Sequence, residues 1–313
     1  MEIALYSLLF VAGLGLALVA SDVAVAYTRA LAAALGAPPF IVGVVLVSLG
    51  TDLPEIANSI AAHVQGEGDV NVGDSIGSTL TQYTLVLALF PLVAGALVID
   101  RRQIGVVTVL TMGGLGLTSL FVADGWLGRW DGLVLVAAWA VFTYVVVRVI
   151  PGSRPEDPPA VRLAGRGGQA GVVLAALAVV GVGATVAVRS LVHLAELAGV
   201  PEFVIAFFGA SFGTSAPEIV VDFTALVRGS PAIALGDALG SSLIDATLSI
   251  GIGPIVAPAE VTASLALTGA LYTLVAVGIV GGLLGGRRRH DRRSMVVLLG
   301  LYLLAYAVLL SAD

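Results

Sequence analysis

Carboxylates and hydroxyls recur at fixed spacing inside strongly apolar sequence. Glu55 ends the hexapeptide GTDLPE, and Glu218 ends GTSAPE 163 residues later. Thr51 and Thr214 precede these glutamates by four residues, so each threonine shares a helical face with its glutamate. Carboxylate and hydroxyl oxygens are the ligands that hard cations such as calcium bind. The spacing therefore predicts an all-oxygen cation site.

A second polar stretch follows each glutamate. The segment VGDSIGSTLTQ contains Ser78 and Gln82, and LGDALGSSLID contains Ser241 and Asp245. Because the two residues of each pair are four positions apart, each pair again occupies one helical face. The chain has no cysteine and only three histidines, which lie near the ends of apolar runs. The ligands of softer metals are therefore largely missing.

These stretches belong to a long internal repeat. Residues 40–89 and 203–252 align without a gap at an offset of 163, with 17 identities. Pro54 and Pro217 interrupt the apolar runs, and proline inside a helix removes a backbone hydrogen bond. Carbonyl oxygens freed at membrane depth are tolerated where they line a polar cavity. Duplicated acidic residues beside helix breaks indicate a transporter built from two halves.

Composition favours a membrane protein throughout. The chain is 58% hydrophobic and 12% charged, with a mean hydropathy of +1.04, whereas about a quarter of residues are charged in soluble domains. A membrane-crossing helix needs about 20 apolar residues. We therefore predict an all-α membrane protein with ten transmembrane helices, near 4–27, 38–63, 70–95, 104–123, 131–150, 169–188, 203–227, 232–257, 263–283 and 294–311.

The halves carry five predicted helices each, and an odd number makes the repeat inverted. We place the first five-helix repeat at 1–150, a cytoplasmic linker at 151–168 and the second five-helix repeat at 169–313. With both termini outside, 13 of the 15 basic residues, all arginine, fall on the cytoplasmic side, as the positive-inside rule expects. We expect a multi-pass protein of the cell (plasma) membrane whose partners are lipid and small cations. Nothing predicts nucleic-acid binding, and the oligomeric state stays open.

The paired GTDLPE and GTSAPE segments, each followed by a glycine–acid–x–x–glycine–serine stretch, resemble the two alpha-repeats of the cation/calcium exchanger superfamily, which includes sodium/calcium exchangers. The resemblance implies a secondary cation antiporter, not an enzyme, that exchanges calcium against sodium without a resident cofactor. It also implies ion-binding roles for Glu55, Glu218, Thr51, Thr214, Ser215, Ser78, Ser241, Gln82 and Asp245.

The sequence departs from the family pattern at four positions. Asp52 stands where serine is usual and adds a carboxylate to the predicted site. Crowded carboxylates favour protonation of at least one of them, which opens a proton-coupled route. The alternative to sodium coupling is therefore a proton-coupled exchanger, with a potassium-coupled one beside it. Asp74 and Asp237 replace asparagine, and both helix capping and ion contact stay open for them. Gln82 replaces the usual asparagine. A further acid, Asp222, follows Glu218 by one turn; it could line an ion path or face cytoplasmic water, and we favour water.

The sequence leaves two other classes of membrane protein as alternatives to an antiporter. Intramembrane aspartyl proteases use a glycine–aspartate motif, which VGD at 72–74 and LGD at 235–237 partly match. The preceding glycine of that signature is absent, however, because Asn71 and Ala234 occupy its place. A channel requires a continuous pore, whereas inverted halves with broken helices suit alternating access. We therefore favour antiport, with the second, third, seventh and eighth spans holding the cations and the first and sixth moving.

Overall fold

The computed structural model describes residues 2–150, 161, 165–197 and 215–309, and these ranges are mostly helical. The described helices of the first half are α1 (Glu2–Leu35), α2 (Pro39–Val42), α3 (Ser48–Thr51), α4 (Leu53–Gln65), α5 (Gly68–Thr81), α6 (Leu87–Ala94), α7 (Arg101–Phe121) and α8 (Arg129–Val149). Those of the second half are α9 (Arg166–Leu197), α10 (Ala216–Val227), α11 (Pro231–Ile244), α12 (Ile250–Val256), α13 (Ala263–Arg287) and α14 (Arg292–Leu309). Three five-residue π-helical segments interrupt them, π1 (Gly43–Val47), π2 (Gln82–Val86) and π3 (Asp245–Ser249).

The same elements recur at the offset of 163. Helix α5 continues into π2 as α11 continues into π3, and both pairs begin and end at equivalent positions. Pro91 inside α6 corresponds to Pro254 inside α12. The sequence alignment ended at residues 89 and 252, so the correspondence of elements extends beyond the segment that the identities had marked.

The predicted breaks at the two GTxxPE segments lie two residues before the prolines. Asp52 ends α3 with φ −79° and ψ 4°. Ser215 occupies the equivalent position before α10 with φ −84° and ψ 12°. These dihedrals lie outside the helical region, because a proline two residues later would clash with a continuing helix. Each glutamate is thereby placed in the first turn of the helix that follows.

Seven described helices are long and apolar enough to cross a membrane, and the pair interrupted at Asp52 makes an eighth if taken as one span. These eight coincide with eight of the ten predicted spans. The predicted span 203–227 lies partly outside the described residues, and 294–311 overlaps α14. The mostly helical, membrane-spanning fold is therefore confirmed, while the count of ten and the sides of the termini stay predictions.

The described residues form two compact units, and each contains segments of both halves. The first comprises Met1–Leu53 and Gly152–Asp237. In it α1 packs along α9, where a Cβ on Gly13 would lie 2.7 Å from the Gly183 carbonyl oxygen. Arg228 forms an ion pair with Asp22 and so joins the end of α10 to α1. Small residues thus permit close helix packing in this unit.

The second unit comprises Pro54–Pro151 and Ala238–Asp313. Helices α7 and α13 pack together in it. Four short strands form two antiparallel pairs: β1 (Leu97–Val98) with β4 (Arg289–His290), and β2 (Trp126–Leu127) with β3 (Ala259–Glu260). Each pair joins two loops that the predicted topology puts on the same side of the membrane. Asp100 caps α7 by accepting hydrogen bonds from the amides of the following turn, at 2.7 and 3.1 Å.

Candidate cation-binding site

The first compact unit buries a carboxylate pair. Asp52 and Glu218 are 1% and 0% exposed, and an oxygen of one lies within 4.8 Å of an oxygen of the other. Glu218 points from the first turn of α10, where the positive end of the helix dipole favours a negative charge. Thr51 directly precedes Asp52, and Ser215 lies three residues before Glu218. Both are also buried. Two buried carboxylates at this distance repel unless a cation or a proton neutralises them.

Two further aspartates of this unit lie near Thr51. The Thr51 hydroxyl lies 3.3 Å from Asp237 Oδ1. Asp222 is fully buried and close enough to Asp237 for the two carboxyl groups to share a hydrogen bond. The expectation that Asp222 faces cytoplasmic water was therefore wrong. Its position one turn after Glu218 was visible in the sequence, but the packing of α10 that covers it was not.

The second compact unit holds the remaining described members of the predicted set. Glu55 lies in the first turn of α4 and is buried. Ser78 on α5 and Ser241 on α11 are buried as well. Gln82 and Asp245 are the first residues of π2 and π3. Because α5 packs against π3, the Ser78 helix and the Asp245 segment are neighbours.

The π-helical segments give Gln82 and Asp245 an uncommon backbone setting. A π-turn widens the helix by one residue and redirects the side chains around it, and such turns are frequent at functional sites. In the second unit, Thr118 Oγ1 donates to the Ala246 carbonyl at 3.4 Å, and a Cβ on Gly114 would lie 2.7 Å from Thr247. Helix α7 therefore packs directly on π3 and fixes the segment that carries Asp245. No sequence signal predicted these segments.

The two glycine–aspartate positions are not equivalent. Asp74 is partly exposed and accepts a hydrogen bond of 2.7 Å from Asn58 Nδ2. Its counterpart Asp237 is fully buried beside Asp222 and Thr51. An amide donor thus partly satisfies the first carboxylate, whereas the second faces another acid. The predicted site residue Thr214 lies outside the described residues.

Buried carboxyl and hydroxyl groups at repeated positions of membrane-spanning helices are typical of polytopic cation transporters. The profile of the family described as sodium/calcium exchanger protein matches residues 5–148 and again 168–311. The chain therefore belongs to the sodium/calcium exchanger family of transmembrane antiporters, and the resemblance of the two GTxxPE segments is confirmed. At the level of this family it is an integral multi-pass membrane protein that exchanges cations, not an enzyme.

Relatives from bacteria and archaea match most of the chain. The inner membrane protein YrbG of Escherichia coli is 27% identical over 96% of this chain and 95% of its own. The putative antiporter CaxA of Alkalimonas amylolytica is 28% identical over 81% and 82%. The sodium/calcium exchanger MaX1 of Methanosarcina acetivorans is 25% identical over 87% and 89%.

Solved structures share the fold. The sodium-calcium exchanger NCX_Mj, soaked with 2.5 mM Na⁺ and 10 mM Sr²⁺, superposes with a TM-score of 0.80 at 22% identity. The superposition covers 97% of this chain and 99% of that one. A structure of the same exchanger soaked with 10 mM Na⁺ and no Ca²⁺ gives a TM-score of 0.81. The likeness extends to nearly the whole length of both chains.

Proposed function

We propose that this protein exchanges calcium against sodium across the cell membrane by alternating access. The observation that carries the proposal is the buried pair Asp52–Glu218, whose oxygens approach within 4.8 Å in a member of a cation-exchanger family. Two negative charges can be balanced by one calcium or by two sodium ions, so one pair of carboxylates suits both substrates. The relative MaX1 carries the name of a sodium/calcium exchanger, which favours these ions.

The proposed central ligands are Glu55 and Glu218, which the repeat makes equivalent. We assign supporting oxygens to the remaining described members of the predicted set and to Thr214. The full set is Thr51, Asp52, Ser78, Gln82, Thr214, Ser215, Ser241 and Asp245. All of these are oxygen donors, which calcium prefers in numbers of six to eight. Sodium needs fewer ligands, and the same carboxylates can bind it.

Charge neutralisation couples the two fluxes in this mechanism. An ionised side chain near the centre of a bilayer costs roughly 2.5–3.5 kcal/mol even on the insertion scale that gives the smallest values. A site with several bare carboxylates is therefore too costly to occlude, whereas a site filled by cations is not. Only the loaded protein would change the side to which it is open. This penalty enforces exchange and suppresses leak.

A proton-coupled antiporter is the second candidate function, and Asp52 is the observation that favours it. A carboxylate near Glu218 makes it easier for one of the two to hold a proton, so protons could replace sodium as the driving ion. Potassium is a further possible driving ion, and the uptake experiment below tests it with its own gradient. Resident cofactors have no role in either scheme.

Calcium uptake into proteoliposomes separates these possibilities. Radioactive calcium uptake is measured with an outward sodium, potassium or proton gradient applied separately. We expect uptake with sodium, and uptake that responds only to the pH gradient would replace sodium by protons. Uptake without any counter-ion would indicate a channel and overturn the antiport proposal.

Single substitutions test the ligand assignment. Glu55→Ala and Glu218→Ala should abolish exchange and leave the protein folded, because polar cavity residues do not hold apolar helices together. Glu67→Ala removes an exposed glutamate beyond the end of α4 and is the matched control. Wild-type exchange in either of the first two variants would contradict the assignment.

A further inference from the structure

Asp222 and Asp237 form a buried acid pair that the predicted ligand set does not use. Both side chains are fully buried in the first compact unit, on α10 and α11. Their carboxyl groups are close enough to share a hydrogen bond. Within the described part of the chain, no donor group forms a hydrogen bond with either carboxylate oxygen of Asp222. The same is true of Asp237 Oδ2. Three buried carboxylate oxygens of the pair therefore have no protein donor among the described residues.

The other copy of the repeat supplies a natural comparison. Ser59 stands where the second copy has Asp222, and its hydroxyl accepts a hydrogen bond of 3.1 Å from the Gly253 amide. Asp74 stands where the second copy has Asp237, and it receives the Asn58 amide at 2.7 Å. In the first copy both positions are thus matched to donors of the protein. The second copy replaces a donor-matched serine by a second carboxylate, and among the described residues no donor group balances the added negative charge.

Resting on the cation exchange proposed above, we propose that Asp222 and Asp237, with the hydroxyl of Thr51, bind an additional hard cation in the first compact unit. Thr51 Oγ1 lies 3.3 Å from Asp237 Oδ1, 3.1 Å from the Ser48 carbonyl and 3.2 Å from the Val47 carbonyl. When its proton points to one of those carbonyls, the hydroxyl oxygen can act as an acceptor toward a cation. Two carboxylates and a hydroxyl are the oxygen ligands that sodium and calcium share.

The location gives this cation a role in coupling. Asp222 is one helical turn from Glu218 on α10, and Asp52 is near enough to act electrostatically on both members of the pair. A cation held there lowers the negative potential felt by Asp52 and Glu218. The site therefore adds an ion to each transport cycle without replacing the glutamate-centred site.

Equilibrium binding to the purified full-length protein tests this site. Saturation binding of radioactive sodium and, separately, radioactive calcium is measured for the wild type, Asp237→Asn and Asp222→Ser. The second substitution installs the residue found in the other copy. We expect both variants to bind about one cation fewer per protein, because a site of so few oxygens loses its cation with one carboxylate. The isotope that is lost identifies the cation.

Asp74→Asn is the matched control, because it removes the equivalent carboxylate that Asn58 already balances, and it should bind as many cations as the wild type. Glu218→Gln tests the proposed function separately, through loss of exchange. Unchanged saturation in Asp237→Asn and Asp222→Ser, for both isotopes, would mean that the pair shares a proton only and would overturn this inference while leaving the exchanger proposal intact. Retained cation binding at the glutamate-centred site shows that the variants are folded.

Discussion

Asp52 is the acidic residue that distinguishes the two GTxxPE segments, since its counterpart is Ser215. The two residues share the same backbone conformation, so Asp52→Ser should leave the helix break intact and remove only the charge beside Glu218. Calcium needs more negative charge than sodium does. We expect the KM for calcium to rise about tenfold, which corresponds to about 1.4 kcal/mol, with a smaller change for sodium. Calcium uptake at graded concentrations measures both, and an unchanged KM for calcium would assign Asp52 to the helix break alone.

The crossing of helices in the first unit depends on two glycines. A Cβ on Gly236 of α11 would lie 2.3 Å from the Phe40 carbonyl oxygen, and one on Gly43 would lie 2.7 Å from that of Ile233. Gly236→Ala should therefore destabilise the protein by about 1–3 kcal/mol, the usual cost of overpacking. The repeat provides the control, because a Cβ on the equivalent Gly73 would lie more than 4 Å from every other atom of the described residues outside its own helical turn. Gly73→Ala should be neutral or stabilising by up to about 1 kcal/mol. Thermal unfolding in detergent measures the stability of the two variants. Equal melting temperatures for Gly236→Ala and Gly73→Ala would refute the close approach of the helices at Gly236.

The β1–β4 strand pair is the element at which pH should act. His290 is buried and contacts the Leu87 carbonyl through Nε2 at 2.6 Å and the Ser294 hydroxyl through Nδ1 at 2.7 Å. A carbonyl can only accept, so Nε2 carries the proton of the neutral ring. Burial lowers the pKa of His290, although the bond to Leu87 opposes this shift.

The unfolded histidine then binds more protons than the folded one below about pH 6.5, so acid destabilises this strand pair. We expect faster amide exchange at residues 287–294 at pH 5.5 than at pH 7.5, after correction for the intrinsic rate. His290→Gln should lose this dependence. Equal protection at both pH values in the wild type would contradict the expectation.

The whole molecule is expected to have both termini outside. Each strand pair joins loops that must lie at one end of the second unit, β1 with β4 and β2 with β3, in agreement with the predicted alternation. The chain has no cysteine, so a thiol reagent labels only the cysteines that are introduced. Cysteines at the exposed positions Glu67 and Glu260 should react with an impermeant reagent from outside. Those at Val98 and Gly286 should react only after permeabilisation, and the reverse pattern would invert the topology.

The sequence by itself determined the membrane class, the repeat, the family and the interruption of a helix near each of Pro54 and Pro217. Hydropathy, glycine and proline act locally, and identities at a fixed offset need no structure to be seen. The contacts and burial of residues at equivalent positions of the repeat, by contrast, were decided only by tertiary structure. Asp74 and Asp237 occupy equivalent positions of the repeat, each after a glycine, yet Asn58 donates a hydrogen bond to one of them and the other lies against Asp222.

The π-helical settings of Gln82 and Asp245 and the burial of Asp222 were likewise invisible in the sequence. They depend on which helix packs against which face. Such contacts join residues far apart along the chain, so no local pattern encodes them, and the energy of a buried charge depends on those contacts.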